Sequence, residues 1–356
     1  MHFTIVGAGA IGGTTGAYLL RGGHAVLFVD RDQAHVDAIN RTGLTIDGRE
    51  TFTVHAQAVT PRQFPAAVPE GVPEAVLLCV KAMHTTAAID ALSPVLGKTN
   101  FVVSLQNGLN EKVIAARIGA QRTIGAFVNF GADYLEPGRV LYGGTGALYL
   151  GELDGSLSPR VRQLEEIFRT CFLPHTQGTT NIWGYLWGKL GYASLLFATA
   201  LVDASIADVL DHPLSRPALA NLAAEVVAVA EAEGVRCEGF DGYDPHVFAF
   251  RRPRDWTGIS ASLDRLVAFN RASLKQKTGI WRDLVVRKRK TEVDQHVGAV
   301  VDTAPRHDIN VPLNRRLVEI IHDLEEGRRQ MRWENLTELT SLNNSVYPDD
   351  AEVRTQ

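Results

Sequence analysis

The chain has 356 residues, 45% of them hydrophobic and 21% charged, which excludes a disordered protein and exceeds what one ordinary domain of roughly 100–200 residues needs. A net charge of −4, with a single short basic cluster at Arg287–Lys290, excludes general attraction to polyanions, so neither a nucleic-acid partner nor an anionic membrane surface is expected. No apolar run approaches ~18 residues, and Cys79, Cys171 and Cys237 are far apart without metal-ligand spacing, so the expectation is a cytoplasmic protein with reduced thiols and no metal, signal peptide or membrane span.

The chain opens on Phe3–Val6, an apolar run that breaks into Gly7-Ala8-Gly9-Ala10-Ile11-Gly12. A buried strand followed by glycines at these spacings suits a dinucleotide. Gly7 permits the tight turn, Gly9 lets backbone approach a pyrophosphate, and Gly12 lets the next helix, over about Ala10–Leu20, pack close to the sheet. That helix points its positive end at the phosphates. Ala25–Val29 reads as a second strand, closed by Asp30 about 20 residues after the glycines, where an acidic side chain can bind ribose hydroxyls. A helix over Asp32–Asn40 and short extended pieces over Leu44–Val54, broken by Gly48, follow.

Ala75–Val80 is a fully apolar strand ending in Lys81, and Thr85–Leu96 is helical. Phe101–Leu105 is another strand, ending in Gln106-Asn107-Gly108. In a doubly wound sheet the C-terminal ends of strands face the ligand, which puts Lys81 within reach of a cofactor and leaves Asn107 as either a turn residue or a ribose or substrate contact. Strands at Thr123–Phe130 and Ala147–Leu150, with glycines between, complete an α/β domain. Beyond Asp154 the pattern turns helical: Pro159–Thr170, a short extended connection at His175–Gly178, then Trp183–Ala204, Leu214–Gly234, Ser260–Gln276, Ile280–Val301 and Pro312–Arg329, with a polar loop between Glu238 and Trp256. The expected organisation is a Rossmann-type domain over 1–180, a helical domain over 181–342 and a loose polar tail over 343–356.

Two places in the helical half carry charge where chemistry could use it. Lys189 is the single lysine of an otherwise apolar helix; it either snorkels to solvent or, desolvated in a cleft, becomes a competent proton donor. Glu292 lies in the charged run Arg287–Asp294. Lys288 with Glu292 and Lys290 with Asp294 would pair along a helix at solvent, whereas Val293, Val297, Val300 and Val301 suggest an inward face.

Taken in order, Gly7–Gly12, Val80-Lys81-Ala82, Leu105-Gln-Asn-Gly108, Trp187-Gly-Lys189-Leu190, Thr291-Glu292-Val-Asp294 and Asn310-Val-Pro312-Leu-Asn314 resemble the ketopantoate reductase (2-dehydropantoate 2-reductase) family over nearly the whole chain. The resemblance implies a 2-oxo acid reduced by hydride from a nicotinamide cofactor in a cleft between the two domains. It implies Lys189 as the proton donor to the carbonyl oxygen, Glu292 as the residue that orients lysine and cofactor, and Lys81, Asn107 and Ala132 as cofactor contacts, with Asn107 also reaching substrate. It further implies a possible homodimer through the helical half.

This chain departs from the family where the substrate binds. The family's two substrate-binding asparagines, four and eight residues after the lysine, are Ala193 and Phe197 here, and the serine before its glutamate is missing from Lys277-Thr-Gly-Ile-Trp-Arg-Asp283. These changes favour a flatter or more apolar substrate, with Trp281, Arg282 and Asp283 as candidate replacement contacts. The family generally uses NADPH, whereas Asp30 would repel a 2′-phosphate; Arg31 beside it could bind one, and the balance leans narrowly to NADH. The alternatives are an opine or sugar-acid type of dehydrogenase, and a non-catalytic dinucleotide-binding redox sensor.

Overall fold

The short apolar runs of the first 182 residues pair side by side, because strands buried on both faces must be covered by helices above and below. The computed structural model describes residues 1–67, 74–144, 146–273 and 276–351. Its strands are β1 (His2–Val6), β2 (Ala25–Val29), β3 (Leu44–Gly48), β4 (Phe52–Val54), β5 (Gln57–Val59), β6 (Ala75–Leu78), β7 (Phe101–Ser104), β8 (Thr123–Asn129), β9 (Ala132–Glu136), β10 (Arg139–Tyr142), β11 (Ala147–Glu152) and β12 (Thr176–Gly178). The main sheet runs β12-β11-β8-β7-β6-β1-β2-β5. From β8 to β5 every pairing is parallel, and β11 joins β8 antiparallel.

Alternate residues of each strand serve opposite faces. Leu77 and Val103 join one core with Leu164 and Phe168 of the helix Pro159–Cys171, while Val76, Leu78 and Val102 join another with Ile89, Leu92 and Ile114 of two further helices. The chain leaves β1 toward β2 on one side and returns to β6 on the other, so the strand order reverses at β1 and β6. A crevice outside the C-terminal ends of strands at such a reversal is where ligands of this architecture sit.

A second sheet, β4-β3-β10-β9, covers the first helix, Ala10–Arg21. The sequence reading has no counterpart for β9 and β10. The glycines at 131, 138, 143, 144 and 146 stand between the expected strands, yet β10 pairs antiparallel with its neighbour β9 and in parallel with β3, far back in the chain, and it is that distant partner that joins the hairpin to the second sheet.

The second compact unit begins at Trp183. It is helical, and its β structure among the described residues is one bridge between Phe240 and Tyr243. The helix expected to reach Ala204 ends at Thr199, and Ser205 caps the next one, Ile206–Leu210, by accepting from Asp208 N–H. The helix expected over Ser260–Gln276 spans Trp256–Ala272, and residues 274–275 lie outside the described ones.

The single helix expected over Ile280–Val301 is not formed. A turn at Gly279–Trp281 passes into a π-helical stretch, Arg282–Val286, and helix resumes only at Val297–Thr303. Four successive cations would crowd one helical turn. Instead the chain leaves the helix, Asp283 draws Arg287 and Arg289 onto one carboxylate oxygen at 3.2 and 2.9 Å, and Lys288 takes a left-handed φ of 46°. Glu292 therefore lies in a turn, Lys288 is no helical neighbour of it, and Asp294 pairs with His322 at 2.8 Å.

The expected loose tail is also corrected as far as it is described. Helix Trp333–Val346 runs into it and Pro348–Ala351 follows; residues 352–356 lie outside the described part. Asn343 and Asp350 are buried and bind Asn221. A polar composition concealed a buried polar network. None of the described helices is long and apolar enough to cross a membrane.

Candidate active-site elements in each unit

The glycine loop after β1 has the shape a pyrophosphate can enter. Gly7 has φ 94°, and a Cβ there would stand 2.9 Å from Val80 N, so the loop after β1 abuts the loop after β6. A Cβ at Gly12 would collide with the Gly7 carbonyl oxygen, whereas one at Gly9 would meet nothing within 4 Å. Gly9 thus faces open space, and the helix it begins has no side-chain cap on its N–H groups. Open space at Gly9 beside an uncapped helix start fits a dinucleotide phosphate.

Ala8, between the glycines, is pinned at both backbone polar groups. Its N–H donates to the Asp30 carboxylate at 2.8 Å, and the other Asp30 oxygen accepts from Asp32 N–H at 2.9 Å. Its carbonyl lies 2.8 Å from His35 Nε2. Gly138 N–H donates to His35 Nδ1 at 2.9 Å, so Nε2 carries the ring proton and donates to Ala8. His35 is buried. Sequence reasoning missed it because its second partner, the turn between β9 and β10, belongs to the sheet it also missed. Arg31 is exposed next to Asp30, and Ala132 is the first residue of β9.

Lys81 and Asn107 follow β6 and β7 at the same edge. Lys81 precedes a short 3₁₀ turn, Ala82–His84. Gln106 Nε2 donates to Val80 O at 2.8 Å and to Thr85 Oγ1 at 2.9 Å, Thr85 donates to Asn110 Oδ1 at 2.9 Å, and Asn110 Nδ2 donates to Asn107 O at 2.7 Å. This chain of bonds locks the two loops together, so the backbones carrying Lys81 and Asn107 keep a fixed spacing.

Next to it stands Glu111, wholly buried. Neither of its oxygens has a hydrogen-bond partner of ordinary geometry among the described residues. Burial raises its carboxyl to about 8, outweighing the pull of nearby backbone and of Ser104. A folded-state value above the unfolded one means that the native state holds a proton the unfolded chain has lost. Stability therefore falls as pH rises from about 4.5 to about 8. Glu111→Gln, which needs no proton, is expected to be stabilised at pH 8 relative to pH 5 by about 1–3 kcal/mol more than the parent, read from urea denaturation at both values.

In the helical unit, Lys189, Ala193 and Phe197 share one stripe of the helix Ile182–Thr199, being four residues apart. Burial lowers the Lys189 amine to about 8, while Glu292 and Asp241 act to raise it. Ala193 and Phe197 are buried, and the Phe197 ring meets His296 edge-on at 5.7 Å. His296 belongs to the turn that holds Glu292.

One helix, Pro312–Glu325, fastens both parts. Glu325 accepts from Thr291 N–H and hydroxyl at 2.7 and 2.6 Å, and His322 binds Asp294, so Glu292 sits between two anchors. At its start, Ser194 of the lysine helix donates to Asn314 Oδ1 at 2.8 Å, and Asn314 Nδ2 donates to Glu225 at 2.8 Å. Glu225 also accepts from Leu313 and Asn314 N–H and from the Tyr347 hydroxyl. Burial raises its carboxyl to about 7 against these bonds. Trp281 and Asp283 have their polar atoms engaged, Trp281 on Asp203 at 2.9 Å and Asp283 on two arginines.

Known proteins fit these elements. The N-terminal model of "Ketopantoate reductase PanE/ApbA" matches residues 3–155 and its C-terminal model residues 181–325. A 2-dehydropantoate 2-reductase of Halobacterium salinarum is 29% identical over 326 residues, 90% of this chain and 98% of that protein. Among solved structures, a PanE/ApbA family ketopantoate reductase from Ralstonia eutropha superposes with a TM-score of 0.75 at 25% identity, covering 93% of this chain and 100% of that one. D-mandelate dehydrogenase, solved with NADH and anilino(oxo)acetate, shares the fold at a TM-score of 0.78 and 20% identity, covering 92% and 99%. With both of its halves matched by the same family, and with that family's motifs at the strand ends and on the lysine helix, the chain belongs to the ketopantoate reductases, an oxidoreductase family.

Proposed function

We propose that this protein is a nicotinamide-dependent reductase of 2-oxo acids whose side chain is apolar and bulky, aryl 2-oxo acids included. The observation that carries the reading is the stripe on the helix Ile182–Thr199: an amine brought down to about 8, followed by buried Ala193 and Phe197 where the family has substrate-binding asparagines. A substrate hydroxyl would find no amide partner at either position, and an apolar group would lose nothing there.

Gly7 to Gly12, Lys81, Asn107 and Ala132 would hold the dinucleotide, which supplies the hydride when bound. Lys189 gives its proton to the carbonyl oxygen as negative charge develops on it, and Glu292 holds the amine in place and charged. Asn107 orients the substrate by its amide. The Asp30 carboxylate stands beside Ala8, where it would repel a 2′-phosphate, so NADH is the proposed partner; Arg31 is the residue that would reverse this preference.

The test is steady-state turnover with NADH and with NADPH against pyruvate, 2-dehydropantoate, branched-chain 2-oxo acids and phenylglyoxylate. The highest kcat/KM is expected for NADH with phenylglyoxylate or a branched-chain acid. Preference for 2-dehydropantoate, or absence of turnover with every acid, would sink the reading.

A further inference from the structure

The loop between the helices Arg216–Ala232 and Trp256–Ala272 contains a hairpin that neither the family motifs nor the sequence reading singles out. Phe240 N–H donates to Tyr243 O at 3.0 Å and Tyr243 N–H to Phe240 O at 2.8 Å. Asp241 and Gly242 are thus the two central residues of a tight turn, both left-handed, with φ 45° and 85°. Two successive positive φ values define the mirror-image turn that suits a hairpin's twist, and Asp-Gly, like Asn-Gly and Gly-Gly, is a dipeptide that tolerates it.

The hairpin is seated on the lysine helix. Glu238 N–H donates to Gly184 O at 2.9 Å, a Cβ at Gly188 would collide with Glu238 O, and one at Gly191 with the Tyr243 hydroxyl. The Tyr192 ring lies 5.7 Å from those of both Phe240 and Tyr243. Glycines on either side of Lys189 are therefore what lets this turn approach. Its charge reaches two side chains three residues apart on one helix face, Lys189 and Tyr192.

We propose that Asp241 is a second carboxylate partner of the Lys189 amine, presented by the tight turn, and that it acts as a positioning residue keeping the proton donor charged. Lys189 is then approached by Glu292 from the turn before Val297–Thr303, by Asp241 from the hairpin, and along its own helix by Tyr192, whose hydroxyl bonds Asn270. The catalytic meaning rests on the proposed reaction; the charge pairing does not.

Asp241→Asn isolates the charge, because Asn-Gly is the dipeptide this turn prefers, and Asp241→Gly leaves Gly-Gly, which it also accepts. The ionisation of Lys189 is read directly, by acylation of the full chain with dilute acetic anhydride across pH and mass spectrometry of the Lys189 peptide. Both variants are expected to lower the labelling midpoint by roughly 0.5–1 pH unit, a value reduced for the exposure of Asp241. An unchanged midpoint in both overturns the pairing. If the midpoint falls in both variants while no 2-oxo acid is reduced by the parent, the pairing stands and the proposed reaction fails.

Discussion

Replacing Lys189 with alanine is expected to lower kcat for 2-oxo acid reduction by about 10²- to 10⁴-fold while the affinity for dinucleotide stays within a few-fold. The amine is the one cation of its helix stripe, and its neighbours on that stripe, Ala193 and Phe197, cannot donate a proton. The glycine loop and its clamps, Asp30 and His35, belong to the other unit. The pH profile of the parent supplies an independent sign. Reduction requires the ammonium form, so kcat is expected to fall as pH rises through about 8, whereas oxidation of the hydroxy acid requires the neutral amine and is expected to rise over the same interval. Stopped-flow turnover with a fluorescence titration of NADH checks both parts; unaltered turnover in Lys189→Ala would dismiss the proton-donor role.

The second large effect is expected at Phe197. Converting Ala193 and Phe197 together to asparagine restores the family's amides, and kcat/KM for phenylglyoxylate is expected to fall by ~10- to 200-fold, the range over which an apolar pocket discriminates. Turnover of 2-dehydropantoate is expected to rise in the same variant, because its hydroxyl then meets partners. Phe197 is 1% exposed and packs on His296, so its loss also opens a cavity worth about 3–5 kcal/mol. Phe197→Leu keeps most of the apolar volume and supplies no amide. It should retain the phenylglyoxylate preference, and melting curves on both variants separate lost stability from altered choice. Unchanged preference in a folded double variant would remove Phe197 from the substrate site.

The two effects act on different links of the same chain of causes. Lys189 and Phe197 come from one helix because residues four apart fall on one face. That helix is held by Ser194 on Asn314 and faces a turn held by Thr291 and Asp294 on Glu325 and His322. Asn314 and Thr291, from two of the family motifs, therefore fix the parts to which the proposed chemistry is assigned.

Local pattern was enough for much of this protein. A glycine at 7 accepts the positive φ that a tight turn asks for, and an apolar run such as Ala75–Leu78 has to be buried, so the α/β first half and the helical second half were legible from the order of residues alone, and Lys189, isolated among apolar residues, stood out as a candidate. What the tertiary structure alone decided depends on partners distant in the chain. β10 joins the second sheet because the distant β3 pairs with it as well as its neighbour β9, His35 matters because Gly138 reaches its ring, the run before Glu292 leaves the helix because Asp283 gathers two arginines, and Asn343 is interior with its Oδ1 accepting from Asn221. A residue's own propensity states which backbone it tolerates. Whether its polar atoms find partners once water is removed is a property of the folded chain, and here that property decided the second sheet, the Glu292 turn and the end of the chain.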